Sequence, residues 1–173
     1  YGNSAEDGAG IMLSGGDAPV ITTNDIYSNT AGGFAAGIYL SGTQKAMVAD
    51  NWIHGNTADA DGGGLYLIES GDATLARNQI GHNAAGSGDR GGGLYVRSSP
   101  SVALESNAIF SNSAQYGGGI HLEASDHAVF TGNEIYRNTV SETGGGAFIT
   151  ACVTTTLTHN DFRGNAATEA PAL

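Results

Sequence analysis

Two similar segments of the chain, "GGGLYVR" and "GGGIHLE", carry side chains suited to acid–base chemistry at matching positions. The first segment supplies Tyr95 and Arg97, and the second supplies His121 and Glu123. A polysaccharide lyase uses an arginine or tyrosine base with a charge-neutralising partner, whereas a glycoside hydrolase needs two carboxylates roughly 5–10 Å apart. The set lacks a second carboxylate, so these four residues are a candidate catalytic cluster that requires the two segments to lie side by side.

The same four residues also have a structural interpretation. If Arg97 and Glu123 face each other on the surface, they form an exposed ion pair, and such a pair stabilises a protein by less than about 1 kcal/mol. Whether the four residues form a catalytic cluster or a surface ion pair depends on the secondary-structure elements that position them.

The two segments are copies of a repeat that runs along the chain. Successive copies are separated by 27, 27, 29, 26 and 27 residues, and their last glycines are Gly10, Gly37, Gly64, Gly93, Gly119 and Gly146. A constant period of this size indicates a repeat architecture. A phosphate-binding loop would need one glycine-rich copy with a lysine and a following helix, which no copy has. The glycines are therefore predicted to form a corner that needs positive φ or close backbone approach.

All 13 asparagines fall into two columns with the same period. The first column is Asn24, Asn51, Asn78, Asn107, Asn133 and Asn160, and the second is Asn29, Asn56, Asn83, Asn112, Asn138 and Asn165, with Asn3 one repeat earlier. A side-chain amide both donates and accepts hydrogen bonds, and the equivalent amide of the next repeat would lie about 4.8 Å away. We predict two internal asparagine ladders that satisfy backbone groups at the corners.

Apolar residues alternate with variable ones in short segments. One apolar column lies between the two asparagine columns and another lies three residues before the first: Ile26, Ile53, Ile80, Ile109, Ile135 and Phe162, then Ile21, Val48, Leu75, Leu104, Phe130 and Leu157. No stripe with helical spacing occurs. One repeat cannot bury its apolar face alone, whereas stacked repeats form a continuous core. The predicted fold is all-β: a right-handed parallel β-helix, a single-stranded β-solenoid with about six coils of about 27 residues and about three short strands each.

Residues 1–173 are predicted to form one β-helix domain. Residues 1–5 match the segment at 27–31, so the chain starts in the middle of a coil. We expect a piece of a longer solenoid, with flanking coils or partner subunits over its open ends.

The repeats resemble those of bacterial right-handed β-helix proteins, including polymorphic outer-membrane proteins and autotransporter-like passengers. That family carries GGA-aliphatic and Phe-x-x-Asn motifs, which residues 145–147 and 162–165 match, while the other coils have Ile for Phe and Gly for Ala. The resemblance covers nearly the whole chain and implies the fold. The same repeat serves adhesins, other surface proteins and polysaccharide-active enzymes, so it does not identify the function.

An aromatic column is predicted on the outward face of the strand after the glycines. Its members are Tyr39, Tyr66, Tyr95, His121 and Phe148, preceded by Met12. Aromatic rings can stack on the apolar face of a sugar, so the column is a candidate glycan-binding strip. Aromatic residues also favour strands and stack on their own neighbours, which is the structural alternative.

The charge balance restricts the partners. The chain has 17 acidic and 6 basic residues and a formal net charge of −11, which argues against nucleic acid and anionic membranes. No apolar run is long enough to insert into a membrane. Acidic residues occur in turns but form no strict column: Asp59, Asp61, Glu69, Asp72 and Asp126. We expect no cofactor and no dedicated metal site, while weak Ca²⁺ binding at these turns is left open.

The single cysteine, Cys152, rules out an internal disulfide and is expected to be a small buried hydrophobic residue.

These features favour a non-enzymatic structural or adhesin-type module, extracellular or on the cell surface, that contacts a glycan or a protein partner through the aromatic column. The alternative is part of a polysaccharide-active enzyme, a lyase or a glycoside hydrolase. The cluster of Tyr95, Arg97, His121 and Glu123 discriminates between them: a groove walled by long turns favours the enzyme, and a flat open face excludes it.

Overall fold

The computed structural model describes residues 1–86 and 88–167, which contain strands and turns and no helix. Strands are numbered β1 to β24 in chain order, and neighbours within a sheet come from successive coils. Sheet 1 contains β2 (Ile11–Ser14), β6 (Ile38–Ser41), β10 (Leu65–Ile68), β13 (Leu94–Arg97), β17 (Ile120–Glu123) and β21 (Ala147–Thr150). Sheet 2 contains β3 (Val20–Thr22), β7 (Met47–Ala49), β11 (Thr74–Ala76), β14 (Ala103–Glu105), β18 (Val129–Thr131) and β22 (Thr156–Thr158). Sheet 3 contains β4 (Asp25–Tyr27), β8 (Trp52–His54), β12 (Gln79–Gly81), β15 (Ala108–Phe110), β19 (Glu134–Tyr136) and β23 (Asp161–Arg163).

A fourth set of strands adds to the three that the sequence predicts for each coil. Three of them form one short sheet and three form another: β1 (Ser4–Ala5), β5 (Thr30–Ala31) and β9 (Thr57–Ala58), then β16 (Ser113–Tyr116), β20 (Thr139–Thr143) and β24 (Ala166–Ala167). Isolated bridges at Ala84 join the two sheets across the intervening coil. The predicted all-β solenoid of six coils is confirmed.

The strands keep one register from coil to coil. Leu65 pairs with Ile38 on one side and with Leu94 on the other, always in parallel. The longer spacing of one repeat is absorbed in the turn between Ala84 and Gly93, so the strands are not shifted. Because strand side chains alternate between faces, every column of the sequence becomes a column of stacked side chains.

The two predicted apolar columns form the core. In the first five coils their side chains are 0–7% exposed, as at Ile21, Leu104 and Ile135. In the last coil the equivalent Leu157 and Phe162 are 44% and 43% exposed. Since Ile21 is buried although its strand lies at the other edge of sheet 2, the exposure of these columns is confined to the last coil.

The two predicted asparagine ladders are present, and the amides of the inner coils all make the same set of contacts. The Nδ2 of Asn107 donates to the Leu75 carbonyl at 2.8 Å and to Asn133 Oδ1 at 3.0 Å. Its Oδ1 accepts the backbone N–H and Nδ2 of Asn78 at 2.9 and 3.0 Å. The ladders thus satisfy buried polar groups at two corners of every inner coil.

A third ladder, of hydroxyl groups, lies in the turn between sheets 1 and 2 and was not predicted from the sequence. Its members are Thr43, Ser70, Ser99, Ser125 and, in the last coil, Cys152. The Ser99 hydroxyl donates to the Arg97 carbonyl at 2.8 Å and accepts the backbone N–H of Ser70 at 2.9 Å. Cys152 is therefore a hydrogen-bonding member of a ladder, besides packing partly against the core as expected.

Positive φ explains why the ladder side chains turn inward. The residue before each ladder residue is left-handed, as at Ser106 (φ 54°) before Asn107 and Ser98 (φ 47°) before Ser99. A single left-handed residue between extended ones reverses the direction of the next side chain and makes a corner. Most of these positions are not glycine, so the corners cost strain that the ladder hydrogen bonds offset.

Candidate functional site

The outer face of sheet 1 brings the predicted site residues together. Tyr95 pairs in register with His121, and Arg97 pairs with Glu123. The register continues to Tyr66 on one side and to Phe148 on the other. The predicted adjacency of the four candidate residues is confirmed.

The predicted exposure of the aromatic column is wrong for three of its members. Met12 is 51% exposed and Tyr39 and Phe148 are partly exposed, but Tyr66, Tyr95 and His121 are only 2%, 0% and 1% exposed. The rings point away from the main core into a second, smaller cluster. Residues that lead into the glycine corner pack on this face: the Phe34 ring lies 5.7 Å from the Tyr66 ring, and Ala35 belongs to the same cluster. Adjacent rings of the column also cover each other.

Ring stacking holds this buried part of the column. The Tyr66 and Tyr95 rings are stacked with centroids 4.6 Å apart, and the Tyr39 ring lies 5.4 Å from Tyr66. The His121 ring lies edge-on, 5.0 Å from Tyr95 and 5.0 Å from Phe148. This matches the structural alternative, in which aromatic residues on strands stack on their own neighbours.

The exposed ion pair suggested for Arg97 and Glu123 is absent from the ion pairs of the described residues. Instead, the hydroxyl of Tyr95 donates to Glu123 Oε2, and the guanidinium of Arg97 interacts electrostatically with the phenol of Tyr66. Each of the two charged groups therefore interacts with a phenol of the stacked column.

Both buried tyrosines stay protonated at neutral pH. Burial raises the pKa of Tyr66 to about 12, against the opposing hydrogen bond from Arg97. Burial, followed by the hydrogen bond to Glu123, raises the pKa of Tyr95 still further. Neither phenol is suited to act as a general base near neutral pH.

An open depression lies where the column reaches the fifth and sixth coils. Its volume is about 210 Å³ and it is lined by Arg90, Tyr116, His121, Glu123, Phe148 and Thr150. The Tyr116 and Phe148 rings form an aromatic wall, with centroids 6.1 Å apart and planes tilted by 30°. Arg90 and Tyr116 lie in the linkers before the glycine corner of successive coils and are paired in parallel, Tyr116 at the end of β16. The depression therefore has these linkers on one side and sheet 1 as its floor.

His121 is neutral at the floor of this depression. Burial lowers the pKa of its imidazole to about 4; nearby Arg90 lowers it further, while Glu123 and the Tyr116 backbone oppose the shift. Both ring nitrogens are buried and make no hydrogen bond of acceptable geometry to any described residue. A neutral imidazole carries one donor and one acceptor, so the site has two unmet polar positions.

Asp61 is a buried carboxylate close to Arg90. From the sequence it was predicted only as one of the acidic turn residues open to weak Ca²⁺ binding. Its Oδ1 accepts the backbone N–H of Arg90 at 2.7 Å and lies 3.8 Å from Arg90 Nη1. Burial raises its pKa, and Glu123 adds a small contribution in the same direction. Asp61, Arg90 and Tyr116 all lie in the linkers before the glycines. These linkers directly precede the strands of sheet 1 in the sequence, and that position was the signal that they cover its outer face.

No group of acidic, histidine or cysteine residues within 1–86 and 88–167 is arranged to hold a metal ion. The turn acids are dispersed, and one of them bonds the backbone: Asp126 Oδ1 accepts the Val153 N–H at 2.7 Å.

A second aromatic column lies on the outer face of sheet 3 and was not identified from the sequence. The Tyr1, Tyr27 and His54 rings stack at 4.9 and 5.0 Å. Farther along, the Phe110 and Tyr136 rings stack at 5.2 Å, and Arg163 lies over Tyr136 at 4.6 Å. The signal was the third residue of "DIYSN", "WIHGN", "AIFSN" and "EIYRN". Because the rings stack face to face, mainly their edges face solvent.

The chain was compared with known proteins. A model of the right-handed β-helix region matches residues 9–169. No curated protein and no solved structure is similar enough to count as a match. No helix in the described part of the chain has the length and apolar character needed to cross a membrane. The match covers most of the chain and agrees with its parallel coils, and the chain therefore belongs to the right-handed β-helix family.

Proposed function

We propose that this chain is a non-enzymatic, adhesin-type β-helix module that acts outside the cell and binds a glycan. The observation that carries the proposal is the depression at Tyr116, His121, Glu123 and Phe148, where an aromatic wall, a carboxylate and an unpartnered imidazole converge. Aromatic rings combined with a few polar groups are typical of sugar recognition.

The protonation states favour binding over catalysis. Tyr66 and Tyr95 hold their protons, and His121 has a pKa too low for an effective base at neutral pH. The Glu123 carboxylate already accepts the Tyr95 hydroxyl. A site with these states can orient hydroxyl groups, but it lacks a group poised to move a proton near pH 7.

The partners and location are part of the same proposal. The ladders use the asparagines inside the rod, and the remaining surface is acidic, with a net charge of −11 for the whole chain. An acidic surface favours neutral or cationic ligands over nucleic acid. The apolar residues exposed in the last coil, such as Leu157, suit a flanking coil or a partner subunit.

The second candidate function is that of a polysaccharide-active enzyme. The wall of linkers at Arg90 and Tyr116 beside the depression favours it, as does the presence of two carboxylates, Asp61 and Glu123, since the charge of Glu123 contributes to the raised pKa of Asp61. A glycoside hydrolase requires such a pair.

A glycan array and an activity assay test both functions. We expect retention of at least one neutral glycan, no new reducing ends, and no unsaturated product from neutral or anionic polysaccharides. The Glu123→Gln variant should lose the array signal, whereas Glu105→Gln, which removes the same charge from sheet 2, should retain it. Cleavage that Glu123→Gln abolishes would establish the enzyme, and the absence of any glycan signal would refute the binding module.

A further inference from the structure

We propose that the depression beside His121 binds one neutral sugar ring, whose apolar face rests on Phe148 and Tyr116 and whose neighbouring hydroxyls meet Glu123 and His121. This inference rests on the proposed function and specifies the ligand, its size and its charge.

The size of the depression limits the ligand to a single ring. Drug-sized ligands occupy pockets of about 300–1,000 Å³, whereas this depression has a volume of about 210 Å³. Tyr116 is half-buried at the end of β16 and Phe148 is half-buried on sheet 1, and these two rings make up the aromatic wall. The site therefore fits the end of a glycan chain and not an extended stretch of it.

The hydrogen-bonding groups suit hydroxyls. Neutral His121 needs both an acceptor and a donor, and a hydroxyl supplies either. Its ring is only 1% exposed and both nitrogens are buried, so a hydroxyl or a bridging water can bond them only after a small movement of the ring or of the Tyr116 side chain above it. Glu123 accepts one hydrogen bond from Tyr95 and retains further acceptor capacity for a sugar hydroxyl. The Thr150 hydroxyl, also at the lining, can donate or accept.

The charges at the site disfavour an ionic sugar. Arg90 has its charge partly compensated by Asp61, 3.8 Å away, whereas Glu123 has no ion-pair partner among the described residues. A uronate would approach this carboxylate and Asp61, whose pKa the charge of Glu123 also raises. An amino sugar would approach the guanidinium of Arg90, which lines the same depression. A neutral ring avoids both costs.

Titration by NMR with methyl glycosides tests the inference. The ligands are methyl glucoside, methyl galactoside and methyl mannoside as neutral rings, methyl glucuronide as the anion, and methyl glucosaminide as the cation. We expect at least one neutral glycoside to bind with a dissociation constant on the order of 1 mM, and both charged ones at least about tenfold more weakly. Chemical-shift changes should centre on Tyr116, His121, Phe148 and Thr150.

Variants separate this site from binding elsewhere. Glu123→Gln and His121→Phe should each weaken the neutral glycoside by about tenfold, corresponding to about 1.4 kcal/mol. His121→Phe keeps an aromatic ring in the column and removes both unmet nitrogens, so it should fold at least as well as the parent at pH 7. Glu105→Gln should bind within about twofold of the parent, because Glu105 lies on sheet 2 and does not line the depression.

The outcomes also separate this inference from the proposed function. A positive glycan array that neither Glu123→Gln nor His121→Phe changes would overturn the site and leave the binding function standing. Strongest binding of the glucosaminide or glucuronide would overturn the neutral ligand. No saturation by any glycoside at concentrations on the order of 100 mM, about a hundred times the expected dissociation constant, would overturn the site. A negative array would remove the proposed function as well.

Discussion

Each inner ladder asparagine joins three coils through one side-chain amide. Asn107 binds Asn78 in the coil before it, Asn133 in the coil after it, and the carbonyl of Leu75. At 2% exposure, the contacts are shielded from water. The energetic consequence lies in the groups left behind when an amide is removed, because a buried donor or acceptor without a partner costs more than a typical hydrogen bond contributes.

Replacing Asn107 with Ala is expected to lower the free energy of unfolding by about 1–3 kcal/mol or more, because it strands the Leu75 carbonyl and the backbone N–H of Asn78. Gln79→Ala, at an exposed position of β12 in the preceding coil, should change it by less than about 0.5 kcal/mol. Urea unfolding followed by circular dichroism gives both values. Equal effects of the two substitutions would refute the ladder.

The hydroxyl ladder predicts an unusual tolerance at the single cysteine. Cys152 Sγ accepts the Ser125 N–H at 3.3 Å and donates to the Thr150 carbonyl at 3.1 Å, the contacts that serine makes in the coils before it. Cys152→Ser should therefore keep or raise the melting temperature. Cys152→Val leaves the Ser125 N–H without its partner and should cost about 1 kcal/mol. If valine is tolerated as well as serine, the ladder does not extend to the last coil.

His121 should make the protein less stable in acid. Its folded-state pKa of about 4 lies below the ordinary 6.5, so between these values the unfolded chain takes up a proton that the folded chain refuses. The stability is unaffected above pH 6.5 and is lost as the pH falls toward 4, by up to about 3 kcal/mol. His121→Phe removes this loss.

Unfolding of the parent and His121→Phe at pH 7, 5 and 4 measures the difference. The comparison cancels the opposite contribution of Asp61, whose raised pKa favours the folded state in acid. A difference between the two proteins that does not grow as the pH falls would show that His121 is not buried in its neutral form.

At the scale of the element, the glycine corner has different requirements at its three positions. The first needs positive φ, as at Gly62 (φ 74°), but the equivalent Ala35 adopts φ 54°, so alanine can occupy it. The third is glycine in every coil. A Cβ at Gly64 would lie 2.5 Å from the Gly93 carbonyl oxygen and 2.9 Å from Asn83 Nδ2. The next coil and the ladder amide occupy the space that a side chain would need.

Gly64→Ala should therefore destabilise the protein by about 2 kcal/mol or more, because the carbonyl and the ladder amide must both move. Gly62→Ala should cost less, about 1 kcal/mol, from its left-handed backbone and from Tyr66 Cβ, which lies 2.7 Å from the new methyl group and must shift. Thermal unfolding of the two variants checks the order. If Gly62→Ala is the more damaging, the third position is not the most restricted one of the corner.

For the molecule as a whole, each coil contacts only its neighbours, so position along the rod changes the value of a residue. Leu104 and Leu157 occupy the same column of sheet 2, but Leu104 is 0% exposed and Leu157 is 44% exposed. Quasi-one-dimensional proteins derive their stability from intrinsic terms and nearest-neighbour interfaces. A coil with one covered face lacks one of those interfaces.

Leu104→Ala should cost about 2–5 kcal/mol, whereas Leu157→Ala should cost less than half as much, because its side chain buries less surface and leaves a smaller cavity. Urea unfolding measures the free energies, and hydrogen exchange of the last coil shows where each change acts. Equal costs would mean that the last coil is covered in solution.

The periodicity of the sequence was sufficient to predict most of the fold. Columns such as Asn78–Asn107 and Leu75–Leu104 were visible because a solenoid places equivalent residues in equivalent environments, so one pattern is repeated six times. The hydroxyl ladder escaped notice because Thr43, Ser70 and Cys152 differ in type and lie in a variable turn. The aromatic column of sheet 3 was not predicted because Gly81 interrupts it and Arg163 takes the equivalent position in the last coil.

The candidate site was predicted in part. The repeat alone placed Tyr95 next to His121 and Arg97 next to Glu123, and the register confirms both. It did not indicate that Tyr66, Tyr95 and His121 are covered, since alternation states which face of a strand a side chain occupies and not what lies over that face. Arg90 and Tyr116 were not predicted because they lie in the linkers before the glycines, whose length and sequence vary from coil to coil.

The amino-acid sequence by itself determined the coils, the asparagine ladders, the core columns and the neighbours within each sheet, because these follow from residue spacing and local hydrogen bonding. Only the tertiary structure decided which outward residues reach solvent, which partners Arg97 and Glu123 choose, and where a depression opens. Those properties depend on how the irregular turns fold back over sheet 1, and turn conformation is set by contacts between coils that spacing does not encode.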